Sequence, residues 1–273
     1  MLARIALGGT EVGVDLSRPV SLAIDLDFAG AQPRHFGAPP ASARPFATAG
    51  FAGAVTLGAS CNCEIISLVP HCNGTHTECV GHLTRERLDA SRVAPLGLLP
   101  ALLVSVDPEP AGALAHAEAS DPAPRDGDLL VTRRALERAW PAPAPFAPRA
   151  LIVRTRPNRA EKRVHDYSTD TPPYLTREAA ALLVERGIAH LVVDLPSIDR
   201  ARDEGRLTAH RVFFGLPPGS SALAQARRPE ATVTELAFVP DELRDGAYLL
   251  ELQVPALGGD AVPSRPLLYA PSS

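Results

Sequence analysis

The chain is poor in aromatic residues, 5% of 273, so no aromatic-rich ligand pocket can be read from it. It also lacks a dominant charge sign. Its 27 Lys and Arg against 31 Asp and Glu give a net charge of -4, which makes no electrostatic case for nucleic acid or an anionic membrane. No run of like charge suggests a tail, and no internal repeat is found. Long apolar runs are missing as well. The opening Met1-Leu2-Ala3-Arg4-Ile5-Ala6-Leu7-Gly8-Gly9 is too short in its apolar part for a signal peptide. The stretch from Leu96 is broken by Pro100 and too short to span a bilayer. The expectation is a soluble, cytoplasmic protein. Cysteine is scarce and confined: all four lie between Cys61 and Cys79, which suits reduced thiols better than a disulfide framework spread along a chain.

What is present is enough for a sizeable core. With 45% hydrophobic and 21% charged residues, the whole of 1–273 reads as one domain. The 28 prolines are about twice the usual ~5%. They cluster in Pro141-Ala142-Pro143-Ala144-Pro145-Phe146-Ala147-Pro148, which reads as a surface connection because proline neither donates to a ladder nor continues a helix. Alternating or β-branched runs predict strands over 20–26, 64–69, 101–106, 151–155, 191–194, 232–238 and 248–254. Helices are fewer. One is expected over 176–186, with Thr176 as N-cap, Gly187 as stop and Ala179, Leu182 and Leu183 on one face. Another opens at Thr132, with Ala135, Leu136 and Trp140 on its apolar side.

The densest chemistry lies in Pro70-His71-Cys72-Asn73-Gly74-Thr75-His76-Thr77-Glu78-Cys79-Val80-Gly81-His82, where three of the eight histidines and one carboxylate meet. A lone histidine is usually satisfied by a hydrogen bond and binds nothing. The grouping says more. In an extended segment His76 and Glu78 share a face, and Gly74 lets the backbone turn sharply and bring His71 beside them. Two imidazoles and a carboxylate around an open position are the donor set of hydrolytic metal enzymes. Cys61 and Cys63, a Cys-x-Cys pair, are weaker signals, since free cysteine is often simply a small buried apolar residue.

These residues carry a family resemblance. The segment resembles the signature of the cyclase family of metal-dependent hydrolases, which includes kynurenine formamidase and isatin hydrolase and reads His-x-Gly-Thr-His-x-Asp-x-Pro-x-His. Gly74-Thr75-His76-x-Glu78 and His82 fall on it in register. One extra residue separates His71 from Gly74, so anchoring on Gly-Thr-His puts Cys72 at the first ligand position, and His71 or Cys72 remains open as that ligand. Glu78 stands where the family has Asp, and Val80 where it has Pro. Asp15-Leu16-Ser17-Arg18-Pro19, Thr171-Pro172-Pro173-Tyr174-Leu175-Thr176-Arg177-Glu178-Ala179-Ala180 and the stretch from Gly187-Ile188 to Asp194-Leu195-Pro196-Ser197-Ile198-Asp199 are similar to further family segments.

The resemblance implies a swivelling β/β/α fold within the α/β class, strand-rich with a few helices. It also implies a dimer or other homo-oligomer acting on a small-molecule substrate. It makes His82 the proton-handling catalytic histidine, and places His210 and Glu235 at a second metal position with the carboxylate of Glu78 bridging. By itself, His210 reads as a surface residue, beside Arg211 and after the charged stretch 199–206, whereas Glu235 in the apolar run 233–238 is more telling because an unpaired buried carboxylate is costly. The implied cofactor is a divalent metal. A thiolate ligand would favour zinc, and an all-His and carboxylate set leaves manganese open. The implied activity is hydrolysis of a cyclic or N-acyl amide, of the arylformamidase or isatin hydrolase type. A relative that keeps the fold in a binding or structural role is the alternative.

Overall fold

The computed structural model describes residues 1–7, 10–113, 118–141 and 146–272. The core of the proline cluster, 142–145, lies outside the described residues. The fold is strand-rich α/β, as the resemblance implied, and centres on a nine-stranded mixed sheet. From one edge to the other the strands are Ala261–Pro263, His76–Cys79, Thr232–Glu235, His190–Val193, Ala150–Thr155, Leu98–Val106, Gly246–Gln253, Arg265–Tyr269 and Val20–Ser21. The four from Thr232–Glu235 to Leu98–Val106 run parallel. The strands flanking them pair antiparallel. Parallel strands are covered on both faces, so their residues are apolar without alternation. That is the pattern here, with Leu151 and Val153 in the larger core and Ala150 and Ile152 in the smaller one on the opposite face.

The larger core is closed by helices α2 (Arg133–Ala139), α3 (Arg177–Glu185) and α4 (Thr208–Phe214); α1 (Ala90–Val93) is a single turn. Two of these start where the sequence predicts. The Thr132 hydroxyl accepts from the Ala135 N–H at 2.9 Å and the Thr176 hydroxyl from the Ala179 N–H at 3.1 Å, each satisfying one orphan donor of a first turn. Ala179, Leu182 and Leu183 are buried as expected.

Strand boundaries differ from expectation for local reasons. The 20–26 strand ends at Ser21, because the Ile24 N–H is taken by the Thr75 hydroxyl at 2.9 Å instead of a neighbouring strand. The 232–238 strand ends at Glu235, because Leu236 adopts a left-handed backbone, φ 51, which stops pairing at the site of a candidate ligand. The 101–106 strand begins earlier, at Leu98. Pro100 is tolerated there because the parallel partner starts opposite Ala101, so no ladder donor is missed. No helix among the described residues is long and apolar enough to cross a membrane.

Candidate metal centre

Strand register assembles the first half of the site. His76 and Glu78 point to one face of His76–Cys79, and in the neighbouring strand Glu235 lies directly opposite His76. Both strands are buried along their whole length. The approach to His76 is set by its two preceding residues. Gly74 holds φ +75, with the place of a Cβ 2.9 Å from the Leu26 side chain, so a side chain there meets both strain and a clash. The Thr75 hydroxyl donates to the Leu236 carbonyl at 2.5 Å while accepting from Ile24, locking this turn to the end of the Glu235 strand.

The second half comes from α4, which the sequence reading did not expect. His210 is buried, 1% exposed, and not the surface residue its charged neighbours suggested. α4 has no local cap: Leu207 precedes it with a left-handed backbone and no capping side chain. The carboxylate of Asp199 does that work from a loop, accepting from the Ala209 N–H at 2.7 Å and the His210 N–H at 3.1 Å. The same carboxylate holds His210 Nδ1 at 2.6 Å, which leaves Nε2 facing Glu78 Oε1 at 2.6 Å and Glu235 Oε1 at 3.5 Å. His76 is arranged the same way. Its Nδ1 lies 3.1 Å from the Gly74 carbonyl, leaving Nε2 3.4 Å from Glu235 Oε2. An acceptor on one ring nitrogen fixes the tautomer and turns the other nitrogen's lone pair outward, as in metal-ligating histidines.

At the mouth of the cluster, His71 Nδ1 lies 2.9 Å from Glu78 Oε2 and its Nε2 lies 2.8 Å from Asp260 Oδ2. His82 Nδ1 approaches the same Asp260 oxygen at 3.3 Å, with the His71 and His82 rings 4.2 Å apart. Asp260 was not visible as a site residue in the sequence, since it follows Gly258-Gly259 far from the motif with no pattern around it. Cys72 sits differently. It is buried, its carbonyl accepts from the His35 N–H at 3.2 Å, and its thiol belongs to neither group of converging donors. The extra residue before Gly74 lets the loop swing His71, not Cys72, against Glu78. Cys61 and Cys63 are exposed and Cys79 is buried; the Cys79 thiol donates to the Leu88 carbonyl at 3.3 Å.

Electrostatics couple these groups. Burial would raise Glu78, but the charges of His210 and His82 hold it well below the usual carboxylate range. Burial would depress His210, yet Glu78, Asp199 and Glu235 hold it well above an ordinary imidazole. His71, opposed by burial, is pushed up to about 10 by hydrogen bonds to Asp260 and Glu78. The carboxylates thus favour positive charge at the centre of the cluster, a demand that a divalent cation could meet in place of protons. The fit rests on convergence: His76 Nε2, Glu78 Oε1 and His210 Nε2 are buried and face one another, with His210 Nε2 2.6 Å from Glu78 Oε1, yet none of them has a partner in hydrogen-bond geometry. Two overlapping donor groups, His71 with Glu78 and His82, and His76 with Glu78 and Glu235, each lie within 4.8 Å, with Glu78 common to both.

Fold and side chains together define a strand-rich α/β protein with a buried His and carboxylate cluster at the end of its parallel strands. The chain belongs to the Cyclase family, whose model matches residues 14–200. That span takes in His71, His76, Glu78, His82 and Asp199 and stops short of His210, Glu235 and Asp260. No curated protein matches the chain by sequence.

Solved structures share the fold. One is a "predicted metal-dependent hydrolase" from Bacillus stearothermophilus, at 15% identity and TM-score 0.55, covering 92% of this chain and 98% of that one. Another is isatin hydrolase A from Labrenzia aggregata bound to benzyl benzoate, at 18% and 0.58, covering 93% and 94%. Isatin hydrolase A from Ralstonia solanacearum matches at 16% and 0.57, covering 93% and 92%.

Proposed function

We propose that the protein is a metal-dependent hydrolase that opens a cyclic or N-acyl amide, acting on a small-molecule substrate. The observation that carries this reading is the convergence of His76 Nε2, Glu78 Oε1 and His210 Nε2, none in hydrogen-bond geometry, in a buried cluster whose mouth is lined by partly exposed His71 and His82. In this reading His71, His76, Glu78, His210 and Glu235 would hold one or two divalent ions, Glu78 being the carboxylate common to both donor groups. When bound, a divalent ion at such a set polarises a carbonyl and acidifies water.

The remaining work falls to the chain's own groups. Asp260 holds His71 and His82 side by side, and His82, 28% exposed at the side chain, is the imidazole placed to pass protons between the cluster and solvent. Asp199 keeps His210 in the tautomer that presents Nε2. A donor set without a thiolate leaves manganese as well suited as zinc. The intact set of two strands, one helix and two loops argues against a relative kept only for binding or structure, because buried carboxylates without a cation would be a standing cost.

Elemental analysis after expression in metal-replete medium, followed by assays on N-formylkynurenine, isatin and simple lactams or lactones, tests the reading. The expectation is about one to two divalent ions per chain and turnover of at least one substrate class. A metal-free protein, under conditions that load an isatin hydrolase, would overturn it.

A further inference from the structure

On the side of α4 that does not carry His210, a cavity of about 520 Å³ opens between that helix, the loop after it and the start of α3. It shares no lining residue with the His and carboxylate cluster. Four arginines line it: Arg177, Arg206, Arg211 and Arg227, with Asp121 the single carboxylate among the lining residues. In a chain with fewer Lys and Arg than Asp and Glu, four guanidiniums to one carboxylate is a concentrated reversal of sign.

Two of the arginines, Arg177 and Arg206, each face a carboxylate, and the other two, Arg211 and Arg227, have no ion pair among the described residues. Arg177 is held by Glu178 Oε1 at 3.1 Å. Arg206 Nε lies 3.9 Å from Asp121 Oδ1, too far for a hydrogen bond. Among the described residues Arg211 donates to neutral carbonyls, those of Arg206 at 3.0 Å, Pro217 at 3.2 Å and Ser220 at 2.7 Å, so its head is fixed without a carboxylate beside it. Arg227 is rooted where α4 ends. Its N–H donates to the Gly215 carbonyl at 3.2 Å and its Cβ lies 2.9 Å from where a Gly215 Cβ would stand. Its guanidinium has no ion pair or side-chain hydrogen bond among the described residues.

Planar, permanently charged forks around a concavity of small-molecule size are matched to oxyanions, which accept two parallel N–H bonds from each guanidinium. We propose that this cavity is a binding site for a multivalent oxyanion, a phosphate compound or a polycarboxylate. It would be distinct from the metal cluster, and the proposal holds whether or not the hydrolase reading does.

Calorimetric titration of the purified protein with pyrophosphate and with citrate, at constant ionic strength set by NaCl, tests this. Saturable binding of about one anion per chain is expected, weakened about tenfold or more in Arg227→Met with an unchanged melting temperature. Both anions also chelate metals, so His76→Ala is titrated in parallel and is expected to keep the binding. Tighter binding of pyrophosphate assigns the phosphate class, and tighter binding of citrate the polycarboxylate class. Binding lost in His76→Ala but kept in Arg227→Met would place the anion at the metal cluster and overturn the proposal. So would the absence of binding by either anion, or a response that NaCl alone reproduces.

Discussion

Asp199→Ala is the substitution with the most consequence per atom removed, because one carboxylate starts α4 and aims His210. Its loss deprives the Ala209 and His210 N–H groups of their acceptor, which costs about 1–2 kcal/mol as a lost N-cap. It also leaves the buried His210 Nδ1 without a charged partner, a further ~1.5–3 kcal/mol. The two share one side chain and do not simply add, so a loss of about 3 kcal/mol is expected. Against a typical ~5–15 kcal/mol the variant still folds. Because the imidazole is then free to rotate or change tautomer, metal affinity should fall by roughly 10–100-fold. Urea unfolding gives the first number, and chelator competition with zinc or manganese gives the second. If the variant matched wild type in both, Asp199 would have neither role. If stability fell and metal affinity did not, His210 would not be a ligand.

Three further outcomes are expected. His71→Ala should cost more metal affinity than Cys72→Ala, because the His71 ring lies 2.9 Å from Glu78 Oε2 and the Cys72 thiol is outside the donor groups; the reverse order in chelator titrations would make the thiolate the ligand. His82→Ala should keep the metal and lower turnover by roughly 10²-fold or more, and a variant that lost its metal as fully as His76→Ala does would make His82 a ligand instead. His190, far from this chemistry in role, is depressed to about 4 by burial and by the charges of Arg149 and Arg228. Its folded value is below the ~6.5 of an unfolded chain, so the unfolded state takes up the proton first. The stability is therefore complete above about pH 6.5 and is lost towards pH 4, by about 3 kcal/mol in all. His190→Gln, which can still meet the Thr232 hydroxyl, should flatten that fall, and equal acid losses in the two proteins would refute it.

Much of the fold and half of the site were legible because the chain supplies those partners locally. Thr132 and Thr176 cap the helices that begin beside them, apolar runs mark strands buried on both faces, and two-residue spacing alone puts His76 and Glu78 on one face. The Gly-Thr step before them is a local turn requirement met by a positive φ at Gly74.

What tertiary structure decided is every contact whose partner is distant in the chain. Antiparallel register set Glu235 opposite His76. Which of His71 and Cys72 faces Glu78 rested on how a loop bulges, which spacing leaves open. α4 gave no local signal, since its capping carboxylate is Asp199 and not a residue beside Leu207. Asp260 joins His71 and His82 only because Ala261–Pro263 pairs with His76–Cys79. Local propensities act over one or two turns, whereas a buried cluster of carboxylates and imidazoles exists only where the sheet and its loops close around it.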